Sequence, residues 1–218
     1  DAESLWLAMN PKNATSFSAL SRGSYGPKRG LPRILETLDS LDVKGTFFTP
    51  GWVVERYPEQ VKEISDRGHE IAYHGYLPKG FLDGSYEQEE AELVKCETLI
   101  QDVCGQKPVG YRAPGGIMHS FTVDLIKKRN YIYSSSLMDC DYAYFHQTGG
   151  QRTTVAELPT DPIYDDRSYY FFSLNEPVHR GITSAAYMVD IWKDEFDGLA
   201  AEGNKIITLV MHPQLSGR

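Results

Sequence analysis

Residues 68–76 read GHEIAYHGY, and this stretch decides the fold. It begins with a glycine that can end a helix, continues with the short apolar run HEIAY, and then reaches the polar residue His74. Short apolar runs between turn residues are typical of strands buried on both faces of a parallel sheet. The stretch therefore predicts a helix, a buried strand and a polar loop in succession.

The same alternation extends outward along the chain in both directions. Apolar residues at helical spacing predict helices over residues 31–41, 53–67, 85–103, 122–128 and 185–201. Short apolar runs predict strands over residues 43–48, 69–73, 109–112, 131–135, 154–158, 169–172 and 206–211. Ser85 is a candidate N-cap, and Gly105 follows the end of the same helix. Strands that alternate with helices predict the α/β class with a parallel sheet.

Length and composition limit the class of protein. The chain has 218 residues, 41% of them hydrophobic, and no internal repeat, which predicts a single domain over residues 1–218. A net charge of −8 argues against nucleic acid as the main partner. Every apolar run is shorter than the roughly 20 residues of a membrane span. Three cysteines (Cys96, Cys104 and Cys140) without metal-type spacing argue against a disulfide framework, and we expect a cytoplasmic location.

Polar side chains follow the predicted strands at the points where those strands end. These residues are His74, Arg112, Asp139, Asp141 and His212. Each of them alone is compatible with an ordinary loop or packing role. Because the carboxyl ends of parallel strands meet at one edge, we expect them to form one cluster, and a convergent polar cluster predicts an active site.

Five separate stretches carry a resemblance to a known family. They are residues 43–51 (VKGTFFTPG), 68–76 (GHEIAYHGY), 109–116 (VGYRAPGG), 135–141 (SSLMDCD) and 208–217 (TLVMHPQLSG). In this order they resemble the successive motifs of the polysaccharide deacetylase (NodB-homology, carbohydrate esterase 4-like) family. The nearest branch holds intracellular peptidoglycan-deacetylase-like and cyclic-imide or allantoin hydrolase-like proteins. The resemblance implies a distorted (β/α) barrel of about seven parallel strands, here truncated at both ends.

The resemblance also implies roles for individual residues in metal-assisted amide hydrolysis. Asp1 and His74 match two metal ligands, and His212 matches the general acid that protonates the leaving nitrogen. Arg112 matches an arginine that steadies the carboxylate of the general base, and the backbone N–H of Gly115 matches an oxyanion donor. The base itself is expected two positions before Asp1, so that the chain would begin inside the first motif and its strand.

One position departs from the family pattern. The second metal histidine is expected four residues after His74, where this chain has Pro78, which carries no donor atom. A divalent, zinc-type metal is therefore expected from the family and doubtful from the residues, since zinc usually keeps three protein ligands. Glu3, His146 or His179 would be substitutes, although no spacing indicates them.

The sequence leaves three functions open. The first is a hydrolase of non-peptide carbon–nitrogen bonds that deacetylates an N-acetylated carbohydrate, and the second is a metal-independent hydrolase of a small cyclic amide or ureide. The third is a non-catalytic carbohydrate-binding domain. Asp139, Asp141 and Trp6 are the candidate substrate-binding residues, because acids at strand ends and aromatic rings suit a sugar cleft. We expect a carbohydrate or small-molecule substrate, and we allow for a homo-oligomer.

Overall fold

A mostly parallel sheet forms the centre of the fold in a computed structural model, which describes residues 1–79, 84–173 and 178–218. The sheet strands are β1 (Thr46–Thr49), β2 (Glu70–Tyr73), β3 (Gly110–Tyr111), β4 (Tyr133–Ser134), β5 (Tyr144–Thr148) and β6 (Gln151–Glu157). Their order is β1-β2-β3-β4-β6-β5, and every neighbouring pair is parallel except β5 and β6. A separate antiparallel pair consists of β7 (Phe172–Ser173) and β8 (His179–Arg180). The predicted α/β class is confirmed, and within the described residues the sheet is open.

Helices surround this sheet. They are α1 (Ala2–Met9), α2 (Phe17–Tyr25), α3 (Leu31–Ser40), α4 (Gly51–Arg56), α5 (Pro58–Asp66), α6 (Tyr86–Cys104), α7 (Thr122–Lys128), α8 (Arg167–Tyr170), α9 (Ala185–Glu202) and α10 (Pro213–Ser216). Short 3-10 turns cover Pro11–Thr15, Pro114–Gly116 and Pro162–Tyr164, and a π turn covers Gly26–Gly30. Across the described residues, none of the helices has the length and apolar character needed to cross a bilayer.

Capping residues fix the ends of α6 where the sequence places them. The Ser85 hydroxyl accepts a hydrogen bond from the Gln88 N–H, and the Gln88 side chain accepts one from the Ser85 N–H. Gly105 ends the helix with φ +77°, a left-handed conformation that glycine adopts without strain. These two local motifs explain why the predicted and observed bounds differ by only one residue at each end.

The core between α6, α7 and the sheet holds β2 and β3 in register with each other. Tyr73 and Tyr111 are buried neighbours on β2 and β3, and their rings stack with centroids 5.1 Å apart. Leu93 and Leu125 pack against this pair from the two helices. Because β2 and β3 are held side by side, the residues that follow them emerge at the same edge of the sheet.

Three predicted elements are wrong in extent or type. Residues 53–67 form two helices, because Pro58 lacks an N–H and disfavours helical geometry at the residue before it, Tyr57 (φ −133°, ψ 52°). Of the predicted strand 169–172, only Phe172 is in a strand, since the Asp166 carbonyl accepts from the Tyr169 and Tyr170 N–H groups and closes helix α8.

Residues 206–211 form no regular strand either. Within this segment, only Val210 pairs in a β-bridge, and its parallel partner is Asp165. Leu209 and Met211 are each 47% exposed, which is incompatible with the predicted burial on both faces. The neighbouring segment turns through Pro162–Tyr164 and α8, so it offers only one residue for pairing.

Strand β5 and the helix at the start of the chain escape the sequence patterns, whereas β6 overlaps the predicted strand over residues 154–158. β5 and β6 form a hairpin whose two-residue turn, Gly149-Gly150, has φ values of +57° and +76°. Glycine tolerates both values, and the Gly-Gly pair is the local sign of this turn. The expected strand at the beginning of the chain is also wrong, because helix α1 begins at Ala2, directly after Asp1.

Candidate active site

A cavity of about 750 Å³ runs along the central strands and reaches the residues that follow their carboxyl ends. It is lined by Asp1, His74, Arg112, Gly115 and His212. These are all five residues that the sequence assigns to catalysis or metal binding. They come from the start of α1, from the loops after β2 and β3, and from the segment before α10. The structure thus brings together residues that lie up to 211 positions apart in the sequence.

His212 is held in place by a buried carboxylate. Its Nδ1 lies 2.7 Å from Oδ1 of Asp166, and its backbone N–H donates to Oδ2 of the same residue at 2.8 Å. The Ser216 hydroxyl also donates to Oδ2, at 2.5 Å. Asp166 is fully buried, so three protein donors replace its water. This geometry places the proton of the neutral ring on Nδ1 and fixes the ring orientation.

The other ring nitrogen of His212 faces a second carboxylate. Nε2 lies 3.4 Å from Oδ2 of Asp1, and Asp165 Oδ1 lies 3.5 Å from Nδ1. Both aspartates line the cavity. A proton on Nε2 would therefore lie at the cavity and close to the Asp1 carboxylate. A general acid needs its proton within reach of the substrate in this way.

Sequence patterns do not single out Asp165 and Asp166. Neither follows a predicted strand, and the partner of both, His212, lies 46 residues after Asp166. The only local sign is the pair of adjacent acids in the stretch IYDDR. The β-bridge between Asp165 and Val210 brings the acids to His212, and this bridge is a property of the folded chain.

His74 is a neutral ring aimed by the backbone. Its Nδ1 lies 3.1 Å from the carbonyl oxygen of Arg112, which assigns the ring proton to Nδ1 and leaves the lone pair on Nε2. Burial, with the nearby positive charge of Arg112, lowers the pKa of His74 to about 3. The imidazole is therefore uncharged near neutral pH and can accept a hydrogen bond or ligate a metal.

Arg112 is fixed on the wall of the cavity. Its Nε donates to the carbonyl oxygen of Ser135 at 2.9 Å, and its Nη2 donates to the Ser135 hydroxyl at 2.8 Å. The guanidinium carbon lies 4.2 Å from the centroid of the Phe48 ring. Burial lowers the pKa of Arg112 to about 10, so the group keeps its charge near neutral pH. Two hydrogen bonds and an aromatic face thus hold a positive charge at the site.

The backbone after Arg112 makes a tight turn. Gly115 and Gly116 have φ values of +62° and +72°, which favour glycine, and both line the cavity. This turn presents main-chain groups, rather than side chains, to the cavity. The N–H of Gly115 is therefore available as a candidate oxyanion donor.

The residues present do not fit a zinc site with three protein ligands. Pro78 lines the cavity beside His74, where the family pattern expects a histidine, and it offers no donor atom. In the part of the chain that the structure describes, Asp1 and His74 belong to no group of three potential ligands; the one such group is Asp165, Asp166 and His212. His212 is hydrogen-bonded to Asp166, protein donors already occupy both oxygens of Asp166, and Asp165 lies 3.5 Å from the His212 Nδ1. The group is better described as a hydrogen-bonded acid–histidine pair with a neighbouring acid.

The three predicted substrate-binding residues lie away from the cavity lining. Asp139 accepts a hydrogen bond from the Tyr144 hydroxyl at 2.7 Å, and Asp141 lies 3.6 Å from the Lys205 ammonium. Trp6 is buried, stacks on Phe171 with centroids 5.4 Å apart, and lies under the guanidinium of Arg22 at 4.4 Å. Substrate binding by these three residues stays a prediction.

Comparisons with known proteins agree with this geometry. A sequence profile described as polysaccharide deacetylase matches residues 24–134. The peptidoglycan deacetylase of Helicobacter pylori is 30% identical over an alignment 241 positions long, which covers 100% of this chain and 82% of that protein. The crystal structure of a protein assigned as a polysaccharide deacetylase from Mycobacterium smegmatis superposes with a TM-score of 0.93 at 35% identity, covering 100% of this chain and 75% of the other.

A more distant structure shows how widely the fold is shared. The crystal structure of the allantoinase PuuE superposes with a TM-score of 0.80, covering 93% of this chain and 66% of the other, at 23% identity. At that identity the likeness concerns the fold alone, and it supports the predicted barrel-type α/β architecture. Sequence and structure therefore agree that the chain belongs to the polysaccharide deacetylase family and is a hydrolase that removes N-acetyl groups from a polysaccharide.

Proposed function

We propose that the chain deacetylates an amino sugar in a peptidoglycan-type glycan. The observation that carries the proposal is the setting of His212, whose Nδ1 is bound by Asp166 and whose Nε2 faces Asp1. Amide hydrolysis needs a base for the attacking water and an acid for the leaving nitrogen, and this geometry supplies both. The peptidoglycan deacetylase of Helicobacter pylori supports the substrate class.

The reaction proceeds in balanced steps. The resemblance matches Asp1 to a metal ligand, and we assign it the role of base instead. A water molecule beside Asp1 attacks the acetyl carbonyl carbon, and Asp1 accepts a proton from that water as the carbon–oxygen bond forms. His212, in its imidazolium form, donates the Nε2 proton to the sugar nitrogen as the carbon–nitrogen bond breaks. The products are acetic acid and the free amino sugar. The proton on Asp1 returns to Nε2 over the 3.4 Å between the two groups, which resets the site.

The developing charge on the acetyl oxygen also needs a partner. The Gly115 N–H lines the cavity, and Arg112 supplies a fixed positive charge on the same wall. Donors that are already oriented stabilise an oxyanion without reorganising during the reaction. We assign the oxyanion interaction to the Gly115 N–H, with Arg112 contributing its charge.

His74 contributes its Nε2 atom to the site. Since its Nδ1 is turned to the Arg112 carbonyl, its Nε2 lone pair is free to accept a hydrogen bond from the attacking water. A zinc-type cofactor enters no step of this mechanism, because the described residues give Asp1 and His74 no third ligand.

The proposal is tested by acetate release. Purified protein is incubated with chitin oligosaccharides, peptidoglycan fragments, a cyclic imide and a cyclic ureide. We expect acetate from the glycans, and release that is about 10²- to 10⁴-fold slower from the same glycans with His212→Ala. Turnover of the cyclic amides alone would replace the proposal with the cyclic-amide function, and glycan binding without turnover would replace it with a carbohydrate-binding role.

Three further features belong to the same proposal. We propose that residues 1–218 act as a single catalytic domain, because the cavity draws residues from both ends of the chain. A cytoplasmic location is consistent with Cys96, Cys104 and Cys140, which are all free. That the chain forms a homo-oligomer stays a prediction. The molecular mass in solution tests it.

A further inference from the structure

A buried acid–base pair behind the cavity takes part in none of the steps above. Glu157, the last residue of β6, is fully buried, and His146 on β5 is 7% exposed. Oε2 of Glu157 lies 2.7 Å from Nε2 of His146. Neither residue lines the cavity as the described residues form it. A carboxylate placed fully out of water is costly unless its hydrogen bonds achieve something specific.

The remaining oxygen of Glu157 binds main chain beside the site. Oε1 accepts from the backbone N–H of Ser136 at 2.5 Å and from that of Leu137 at 2.9 Å. Two successive amides held by one carboxylate oxygen fix the direction of the backbone there. Since Ser135 and Ser136 line the cavity, Glu157 sets the shape of its wall from behind.

Oxygen atoms of Ser135 and Ser136 in the same segment bind the residues that line the active site. The carbonyl and hydroxyl of Ser135 accept both hydrogen bonds from Arg112. The Ser136 hydroxyl accepts from the backbone N–H of Ala113 at 2.9 Å, two residues before Gly115. Hydrogen bonds on both sides of the backbone of residues 135–137 therefore connect Glu157 to the guanidinium and to the residue before the glycine turn, Ala113.

His146 faces Glu157 from an irregular position in the β5–β6 hairpin. The register between β5 and β6 shifts between Phe145 and Gln147, so His146 sits at the irregular point of the hairpin. Bulges redirect a side chain and are frequent beside active sites. The hairpin thus places the His146 ring as a hydrogen-bond donor to Oε2 of Glu157.

From this geometry we infer that Glu157, with His146 as its donor, is a positioning residue for the active site. The inference rests on the proposed function for the roles of Arg112 and Gly115. Glu157 touches no substrate; it holds residues 135–137, and these hold Arg112 and the Ala113 amide. Misplacing catalytic groups by about 1 Å can cost about 100-fold in rate, so the expected losses are of that order.

Steady-state kinetics of Glu157→Gln and His146→Phe form the first test. Both variants should lower kcat about 10- to 100-fold with KM changed by less than about threefold. His146→Gln, which keeps an N–H donor of similar reach, should recover most of the loss. The matched control is Glu97→Gln: Glu97 is 2% exposed and bound by Arg129, away from the cavity lining, and its loss should reduce stability while kcat is unchanged.

Coupling to Arg112 separates positioning from general stabilisation. If Glu157 acts through Arg112, the double variant Glu157→Gln with Arg112→Lys should be little slower than Arg112→Lys alone. Additive losses, or full kcat in a folded Glu157→Gln variant, would overturn the inference.

A measurement without substrate keeps the test independent of the proposed reaction. The Arg112 Nε–H resonance, assigned by its absence in Arg112→Lys, should exchange slowly with water in the wild-type protein. In Glu157→Gln and His146→Phe its exchange should be at least about tenfold faster, because the Ser135 acceptor is no longer fixed. An unchanged exchange rate contradicts the inference even if the wild-type protein releases no acetate, and accelerated exchange upholds the positioning of Arg112 in that case.

Discussion

His212 is bound to Asp166 at two points, through its ring Nδ1 and through its own backbone N–H. One carboxylate therefore fixes both where the residue sits and how its ring is turned. The distances of 2.7 and 2.8 Å are those of strong hydrogen bonds to a charged acceptor. The remaining ring nitrogen is left for chemistry at the cavity.

Replacing Asp166 with asparagine should separate orientation from the acid itself. The amide presents a donor where the ring now finds an acceptor, which favours the wrong tautomer of His212. We expect kcat to fall about 10²- to 10⁴-fold, measured by acetate release. Asp161→Asn is the control, since Asp161 caps the 3-10 turn at Ile163 and is exposed. Equal activity in the two variants would remove Asp166 from the mechanism.

Removing the His212 ring should abolish protonation of the leaving nitrogen. His212→Ala is expected to lower kcat about 10²- to 10⁴-fold. The loss should be smaller for a substrate whose leaving group needs no proton, such as an activated acetate ester. Comparison of the amide and the ester is the decisive measurement, because a merely structural defect would slow both to the same extent.

The proline at position 78 should leave the protein poor in zinc. Two protein ligands, Asp1 and His74, make a weak site, so we expect well below one zinc per chain after dialysis, measured by mass spectrometry of the metal. Pro78→His adds a third donor on the cavity wall and should tighten zinc binding at least about tenfold. Leu77→His is the control for a histidine one position away. Stoichiometric zinc in the wild-type protein would contradict this prediction and the metal-free mechanism with it.

Acid should destabilise the protein through His69. The Gly45 N–H donates to the His69 Nδ1 at 3.2 Å, so the folded state needs the neutral ring. Burial lowers the pKa of His69 below its ordinary value. As pH falls below about 6.5, the unfolded chain takes up a proton first, and the free energy of unfolding falls until the folded ring titrates as well. Above that pH the contribution is complete and constant.

Urea unfolding of wild type and His69→Gln measures this contribution. Between about pH 7.5 and about pH 5, the wild-type protein should lose more stability than the variant. Parallel pH profiles for the two proteins would show that His69 is not the group responsible.

The sequence predicts a helix or strand well where residues at its own ends determine its bounds. The capping box at Ser85 and the left-handed Gly105 enclose α6 close to the predicted bounds. In contrast, the apolar run over residues 206–211 predicts a strand that its surroundings do not pair, since among the residues that the structure describes only Asp165 forms a bridge with it. The spacing of apolar residues gives the secondary structure that a segment prefers by itself. Whether a strand forms hydrogen bonds with a neighbour depends on which segment folds beside it.

The site divides in the same way. The rule that active-site residues follow parallel strands identifies His74 and Arg112, and both line the cavity. It also selects Asp139 and Asp141, which make contacts elsewhere, with the Tyr144 hydroxyl and the Lys205 ammonium. Asp166 follows no strand, so only the folded chain reveals it as the partner of His212.

The single bridge between Asp165 and Val210 has a consequence for how the enzyme fails. Within the described residues, the acid–histidine pair joins two chain segments that share one β-bridge and a few side-chain contacts, whereas residues of β2 and β3 belong to two buried apolar clusters formed with the helices. Segments with so few contacts open at a lower free energy than the whole domain. Gentle heating should therefore inactivate the protein reversibly, by detaching His212 from Asp166, at temperatures where the central sheet is still intact.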